Sequence, residues 1–196
     1  AEGGEQMSVV VVSYNTKALT IQCLETLRED SPEGTCICVV DNASADGSVA
    51  ELEALARSSP SNVRLIKSER NLGFGAANNL GVANTKGEFI ALINSDAFVE
   101  RGTLGGLRAY LQRNPRVAVA GPRLKNPDGS FQESRFAFPT PLGAWVENMG
   151  WSRIRRLLQP AWPDSAGRVP WLSGACLMIR RAASVSYTHL TLPTIL

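Results

Sequence analysis

Residues 88–96, Glu88-Phe89-Ile90-Ala91-Leu92-Ile93-Asn94-Ser95-Asp96, decide how the rest of the chain is read. Phe89, Ile90, Ala91, Leu92 and Ile93 run without polar alternation, which suits a strand buried on both faces. Three small polar residues then arrive together, ending in a carboxylate. In an open α/β sheet, ligands bind just past the carboxyl ends of the strands. An aspartate there can hold a divalent cation against a phosphate, because hard cations take oxygen ligands. Asn, Ser and Asp are also ordinary turn formers, so this segment alone supports either reading.

Working back toward the amino terminus, the same alternation of element types recurs. Residues 8–12 form a β-branched run closed by Ser13-Tyr14-Asn15-Thr16, after which Leu19, Cys23, Leu24 and Leu27 repeat at helical spacing. Residues 35–40 read as a second buried strand ending in Asp41-Asn42. A turn and cap over residues 44–48 leads to a helix with Val49, Leu52, Leu55 and Ala56 on its apolar face. Residues 62–67 read as a shorter third strand. Asn71-Leu72-Gly73-Phe74-Gly75 is a glycine-bearing loop before an Ala- and Asn-rich helix to about Thr85. The order β-α-β-α-β-α-β with short connections predicts an α/β fold, a mostly parallel sheet with helices on both faces.

Beyond Asp96, residues 104–112 predict a helix, 117–120 a fifth strand, and 124–131 a hairpin with Asp128-Gly129 in its turn. Periodicity fades over residues 136–170, where Trp145, Trp151 and Trp162 are scattered with prolines around a basic cluster, Arg153-Ile154-Arg155-Arg156. Such a segment either covers a binding cleft or is a solvated connector. Residues 171–179 predict one more buried strand, interrupted by Ser173-Gly174-Ala175. No second domain is expected.

Composition narrows the function classes. The chain has 196 residues, 44% of them hydrophobic, and a net charge of +2, too small to argue for nucleic acid as a partner. No apolar run reaches membrane-spanning length. Cys23, Cys36, Cys38 and Cys176 lack metal-site spacing and read as buried free thiols. Residues 184–196 break the pattern abruptly, and 185–190 resemble a translated sequencing adaptor. They are expected to lie outside the fold, which removes His189, the sole histidine, from consideration.

Compact polar groups close four strands: Ser13-Tyr14-Asn15, Asp41-Asn42, Asn71 with Gly73 and Gly75, and Asn94-Ser95-Asp96. In a parallel sheet all four fall on one edge, and four such groups together make a site. Asp41 can accept hydrogen bonds from a base or ribose, Tyr14 can stack on a base or simply pack, and the glycines let backbone approach a ligand. Asp46 reads as a helix cap. The set describes a nucleotide diphosphate pocket without a phosphate-binding lysine loop.

These motifs, Val10-Val11-Val12-Ser13-Tyr14-Asn15, Val39-Val40-Asp41-Asn42-Ala43-Ser44-Ala45-Asp46-Gly47-Ser48, Asn71-Leu72-Gly73-Phe74-Gly75-Ala76-Ala77-Asn78-Asn79 and Leu92-Ile93-Asn94-Ser95-Asp96, resemble family 2 glycosyltransferases. The rhamnosyltransferase-like branch is the nearest in pattern, and Trp171-Leu172-Ser173-Gly174-Ala175-Cys176-Leu177-Met178-Ile179-Arg180-Arg181 is similar to its later strand. The resemblance implies a GT-A (Rossmann-like) fold, incomplete at the carboxyl end. It implies a nucleotide-sugar-binding domain over residues 8–183, a UDP- or dTDP-sugar donor, and Mg²⁺ or Mn²⁺. Carried over by position, Ser13 and Tyr14 border the base, Asn15 belongs to the nucleotide-sugar site, and Asp41 binds the nucleoside. Asn71 and Gly73 belong to the donor pocket, as do Asn94, Ser95 and Asp96, with Asp96 as the metal carboxylate. The implied reaction is inverting transfer to a glycan or lipid-linked acceptor. Its base is expected beyond Ala183, where this chain has no paired acidic motif, so the chain is expected to be inactive by itself. The resemblance also implies a cytoplasmic location at the inner membrane face. The basic cluster at 153–156 could contact such a surface, or could be an exposed helix face.

Two other functions fit parts of the sequence. Gly73-Phe74-Gly75-Ala76-Ala77-Asn78 begins like a dinucleotide-binding loop, but Asn78 stands where a small residue should pack and the loop follows the third strand. A non-catalytic domain that recognises a nucleotide, a saccharide or a partner fits the missing base equally well.

Overall fold

A computed structural model of the chain describes residues 7–58, 63–132, 134–136, 167, 169 and 171–186. The expected segment with Trp145, Trp151, Trp162 and the 153–156 basic cluster lies outside the described residues, as does His189.

The elements follow in the predicted order. They are β1 (Met7–Ser13), α1 (Lys17–Asp30), β2 (Thr35–Asp41), α2 (Ser48–Ser58), β3 (Val63–Lys67), α3 (Phe74–Ala83), β4 (Phe89–Asn94) and α4 (Thr103–Arg113). Short strands β5 (Val119–Ala120), β6 (Leu124–Lys125), β7 (Phe131–Gln132), β8 (Arg135–Phe136) and β9 (Trp171–Leu172) follow, then β10 (Cys176–Arg180) and a terminal helix, α5 (Arg181–Ser186). The main sheet runs in the order β3-β2-β1-β4-β10-β5. The first four of these strands are parallel, with Val10 opposite Cys38 on one side and Leu92 on the other. β10 enters antiparallel to both β4 and β5. The sheet is therefore mixed but mostly parallel.

β1 and β4 are buried on both faces, as their unbroken apolar runs require. Val10, Val12, Cys38, Val40, Ile90 and Leu92 form one cluster with Ala77, Leu80 and Val82 of α3. Alternate residues, Val9, Val11, Val39, Ala91 and Ile93, point to the other face and are equally buried. α1 buries Thr20, Cys23, Leu24 and Leu27.

The chain departs from the sequence expectation at several points. Leu19 is exposed, and Thr20 takes the inward place because its hydroxyl meets the buried Ser13 hydroxyl at 2.9 Å. The fifth strand shrinks to Val119–Ala120, paired with Met178 and Ile179 at the sheet's edge. Residues 171–179 are not one strand. β9 pairs with β8, while β10 joins the main sheet, with Ser173-Gly174-Ala175 as the break between them. Two compact units are present: described residues up to Pro122 and from Gly174 onward form one, and those from Arg123 to Ser173 the other. The hairpin forms as expected, with Gly129 in its turn at φ 81°. α5 extends to Ser186, into residues expected to lie outside the fold. No described helix is long and apolar enough to cross a membrane.

Candidate functional site

Parallel pairing puts the carboxyl ends of β1, β2, β3 and β4 at one edge of the sheet, and the loops leaving them build a cleft of about 330 Å³. Tyr14, Asn71, Gly73, Asn94, Ser95 and Asp96 line it, all of them expected from the sequence. Val12, Thr16, Asn42 and Phe74 complete the wall. Tyr14 and Phe74 are each close to half exposed, at 46% and 47%, so two aromatic faces are available to a ligand in one cleft. Among the described residues of the wall, Asp96 is the sole charged one.

Ser13, Asn15 and Asp41 lie outside the lining and brace it. Ser13 is fully buried against Thr20. Asn15 adopts φ 53°, a left-handed conformation that asparagine tolerates, and its Oδ1 accepts from the Ala45 N–H at 2.8 Å. Its own N–H donates to Ser44 Oγ at 3.0 Å. Asp41 is 1% exposed; its Oδ2 accepts from the Ser44 N–H at 3.1 Å, and its Oδ1 has no hydrogen-bond partner among the described residues. Between them, Ala43 is held at φ 66°, a conformation costly for a residue with a Cβ. The β1–α1 and β2–α2 loops are thus locked to each other.

Asp46 does act as a cap, for α2 as expected and also for α1. Its Oδ2 accepts from the N–H of Lys17, the first residue of α1, at 2.9 Å, while Oδ1 accepts from the Ser48 N–H at 3.0 Å and from the Ser48 hydroxyl. The Ser48 hydroxyl, then the Lys17 N–H, hold the Asp46 carboxyl below its ordinary range.

The 71–73 loop is tied to β2 by Asn42, which is 3% exposed. Gly73 sits at φ 78°, and α3 begins at Phe74, inside the stretch that the sequence suggested was loop. Asn78 is buried, and its Nδ2 donates to the Phe74 carbonyl at 2.9 Å. It therefore closes the first turn of α3 instead of leaving the close helix–strand approach of a dinucleotide loop.

On the β4 side, the Asn94 N–H donates to the Ala175 carbonyl at 3.0 Å, and the Asn94 carbonyl receives the Cys23 thiol at 3.7 Å. Asn94 Oδ1 is buried without a partner among the described residues. Burial, then the nearby Cys176 thiol and the Asp96 carboxylate, push the Cys23 thiol up to about 12. No group of three His, Cys, Asp or Glu side chains among the described residues could hold a metal ion by itself. The protein oxygens at the β4 tip fit a hard cation only if a ligand completes its shell.

The sequence did not single out Thr16 or the bridging role of Asn42, and it placed Phe74 in a loop. The only advance signal was the polarity of Thr16 and Asn42 at strand ends. A second cavity of similar volume lies between α2 and β3, but Lys67 and Arg57 in its wall pair with Glu53 there, at 2.7 and 3.6 Å.

Comparison with known proteins agrees with this geometry. The family model "Glycosyl transferase family 2" matches residues 8–184. An N-acetylglucosaminyl-diphospho-decaprenol L-rhamnosyltransferase of Mycobacterium tuberculosis is 30% identical over 196 aligned residues, covering 90% of this chain. The chain spans 62% of that relative's length. A mannosyltransferase of Pyrobaculum calidifontis, solved with GDP-Man and Mn²⁺, superposes with a TM-score of 0.67 at 21% identity, over 94% of this chain and 47% of its own. TarS residues 1–349 of S. aureus, solved with UDP-GlcNAc, gives 0.58 at 24% identity, over 69% of this chain and 39% of its own. At these identities the two structures show the fold, which is GT-A.

Proposed function

Because the chain belongs to glycosyl transferase family 2, we propose that its cleft binds the nucleotide diphosphate of a sugar donor, with a divalent cation, for transfer to a glycan or lipid-linked acceptor. Residues 8–183 are then a nucleotide-sugar-binding domain. One observation carries the reading: among the described residues lining the cleft, the single charged side chain is a carboxylate, Asp96, beside Asn94 Oδ1, which has no described partner. A diphosphate entering without a cation would place its charge beside that carboxylate. A diphosphate bringing Mg²⁺ or Mn²⁺ meets oxygen ligands suited to that cation.

The remaining roles follow from position. Tyr14 offers a face for stacking a base, with Phe74 in the same wall. Asp41 Oδ1, buried and unpartnered, suits a base or ribose donor, because an unmade hydrogen bond there is costly. Asn71 and Gly73 give a polar and close-approach surface for the nucleoside. Ser13 and Asn15 brace the base side. A bound cation stabilises the charge that grows on the departing diphosphate. The solved neighbours hold GDP-Man with Mn²⁺ and UDP-GlcNAc, which supports a nucleotide-sugar donor; for this chain we favour a UDP- or dTDP-sugar. The mycobacterial relative's name supports a lipid-linked acceptor, reached at the inner membrane face.

For inverting transfer, a carboxylate base must deprotonate the acceptor hydroxyl. No Asp or Glu occurs after Asp164 in the chain, so we place the base outside these residues and expect donor binding without robust turnover. Calorimetry with UDP and dTDP, with and without Mn²⁺, tests the reading. Heat that requires Mn²⁺ supports it, and no heat under any condition refutes it.

A further inference from the structure

The start of α1 and the tip of β4 are joined by hydroxyls whose protons can be counted. Each hydroxyl has one proton to donate and can accept two. The Thr20 hydroxyl donates to the Thr16 carbonyl at 2.8 Å, so toward its other neighbours Thr20 Oγ1 can only accept. Those neighbours are Ser13 Oγ at 2.9 Å and Thr16 Oγ1 at 3.1 Å. Ser13 and Thr20 are both fully buried, so the buried Ser13 proton settles on Thr20. Thr16 Oγ1 donates its single proton to Ser95 Oγ at 3.1 Å, across 79 residues of chain, and packs at 3.1 Å against Thr20 Oγ1. Ser95 Oγ is therefore an acceptor on the protein side. Among the described residues no protein group takes the Ser95 proton in return, and Ser95 lines the cleft beside Asp96.

From this wiring we infer that Thr16 is a positioning residue: it fixes the Ser95 hydroxyl so that its proton is donated to a phosphoryl oxygen of the bound nucleotide diphosphate. The inference rests on the reading of the cleft as a diphosphate site and deepens it. Thr20 anchors Thr16 through its carbonyl, and the Thr16 hydroxyl donates to Ser95 Oγ, so Ser95 meets a ligand as a donor before the ligand arrives. A donor fixed in advance suits an oxyanion, whose oxygens only accept, and needs no reordering on binding. It also places a neutral donor next to the carboxylate, in a wall whose described residues include no lysine or arginine.

The test is a binding cycle with Mn²⁺ and UDP on wild type, Thr16→Val, Thr16→Ser, Ser95→Ala and the Thr16→Val/Ser95→Ala pair, with thermal unfolding of each protein. A neutral hydrogen bond predicts that Ser95→Ala weakens UDP binding about threefold to tenfold. Thr16→Val is expected to weaken it by a similar factor, Thr16→Ser to restore it, and the pair to be no weaker than Ser95→Ala alone. A purely structural threonine would lower the melting temperature of Thr16→Val and act additively with Ser95→Ala, which overturns the inference. So does UDP affinity unchanged in both Thr16→Val and Ser95→Ala. Should Thr16→Val fail to fold, Thr16→Ala takes its place in the cycle with the same expected and overturning results. Failure of the wild type to bind UDP overturns the reading of the cleft itself, a different outcome from wild-type binding with unaltered variants.

Discussion

Asn42 holds Asn71 in place: its Nδ2 donates to Asn71 Oδ1 at 2.9 Å, while its Oδ1 accepts from the Leu72 N–H at 2.9 Å. Asn71 Oδ1 also accepts from the Gly73 N–H at 2.8 Å, so one buried side chain sets the path of the whole loop into α3. Asn42→Asp keeps the shape and removes the donor. It is expected to lower stability by about 1–2 kcal/mol, read from urea unfolding, because Asn71 Oδ1 loses a partner and a charge is buried. It should also weaken UDP binding, since two residues of the cleft wall move with that loop.

Gly87 lies under β1 with no room for a side chain. A Cβ there would come within 2.5 Å of the Ser8 backbone nitrogen, where neither atom can give way cheaply. The Gly87 N–H also donates to Ser8 Oγ at 2.8 Å, which fixes the approach. Gly87→Ala should cost about 1–3 kcal/mol by overpacking, measured as a lowered denaturant midpoint. Nucleotide affinity at saturating folded protein should stay unchanged, because Gly87 sits at the opposite end of β4 from the cleft.

Acid should loosen the bond between the two loops. The Asp46 carboxyl is held below its ordinary value of 3.8 by the Ser48 hydroxyl and the Lys17 N–H. A depressed folded value means the stabilisation is present above the unfolded value and is lost as pH falls through the folded one. Asp46→Asn should therefore be less stable than wild type at neutral pH, and the two melting temperatures should converge as pH falls below 3.8 and through the depressed folded value. A gap that persists at low pH would show that the charge of Asp46 is not what matters.

Thiol chemistry should separate the cysteines. Burial pushes both Cys23 and Cys176 up to about 12, so neither supplies thiolate at neutral pH. Cys36 is half-buried, whereas Cys38 is fully covered between neighbouring strands. Iodoacetamide at pH 8 should label Cys36 first and the other three only after unfolding, read by peptide mass spectrometry. Rapid labelling of Cys23 in the folded protein would mean that the β4 tip opens.

Much of the fold is written in local pattern. The unbroken apolar runs of β1, β2 and β4 and the breaks at Pro32 and Gly87 set the order of elements, and order sets the parallel core. What could not be read depends on partners distant in sequence. Thr20 outcompetes Leu19 for the inward position because a buried hydroxyl, Ser13, waits on another element. β9 and β10 look like one apolar run until each finds a different neighbour. At the site, Tyr14, Asn71 and the Asn94 to Asp96 tip were legible as strand-end polarity. Whether a strand-end group faces the cleft or braces it was not. Asp41 and Asn15 accept from loop amides instead, and Thr16 enters the wall through a bond to Ser95 that no local spacing reveals.

The account stands or falls on a cation shared between Asp96 and a diphosphate. Free Mn²⁺, followed by its electron paramagnetic resonance signal, should fall on titration with wild-type protein when UDP is present and stay nearly unchanged without it. Asp96→Asn should lose at least about tenfold in this UDP-dependent uptake while melting like wild type. Equal uptake by Asp96→Asn and wild type would contradict the account.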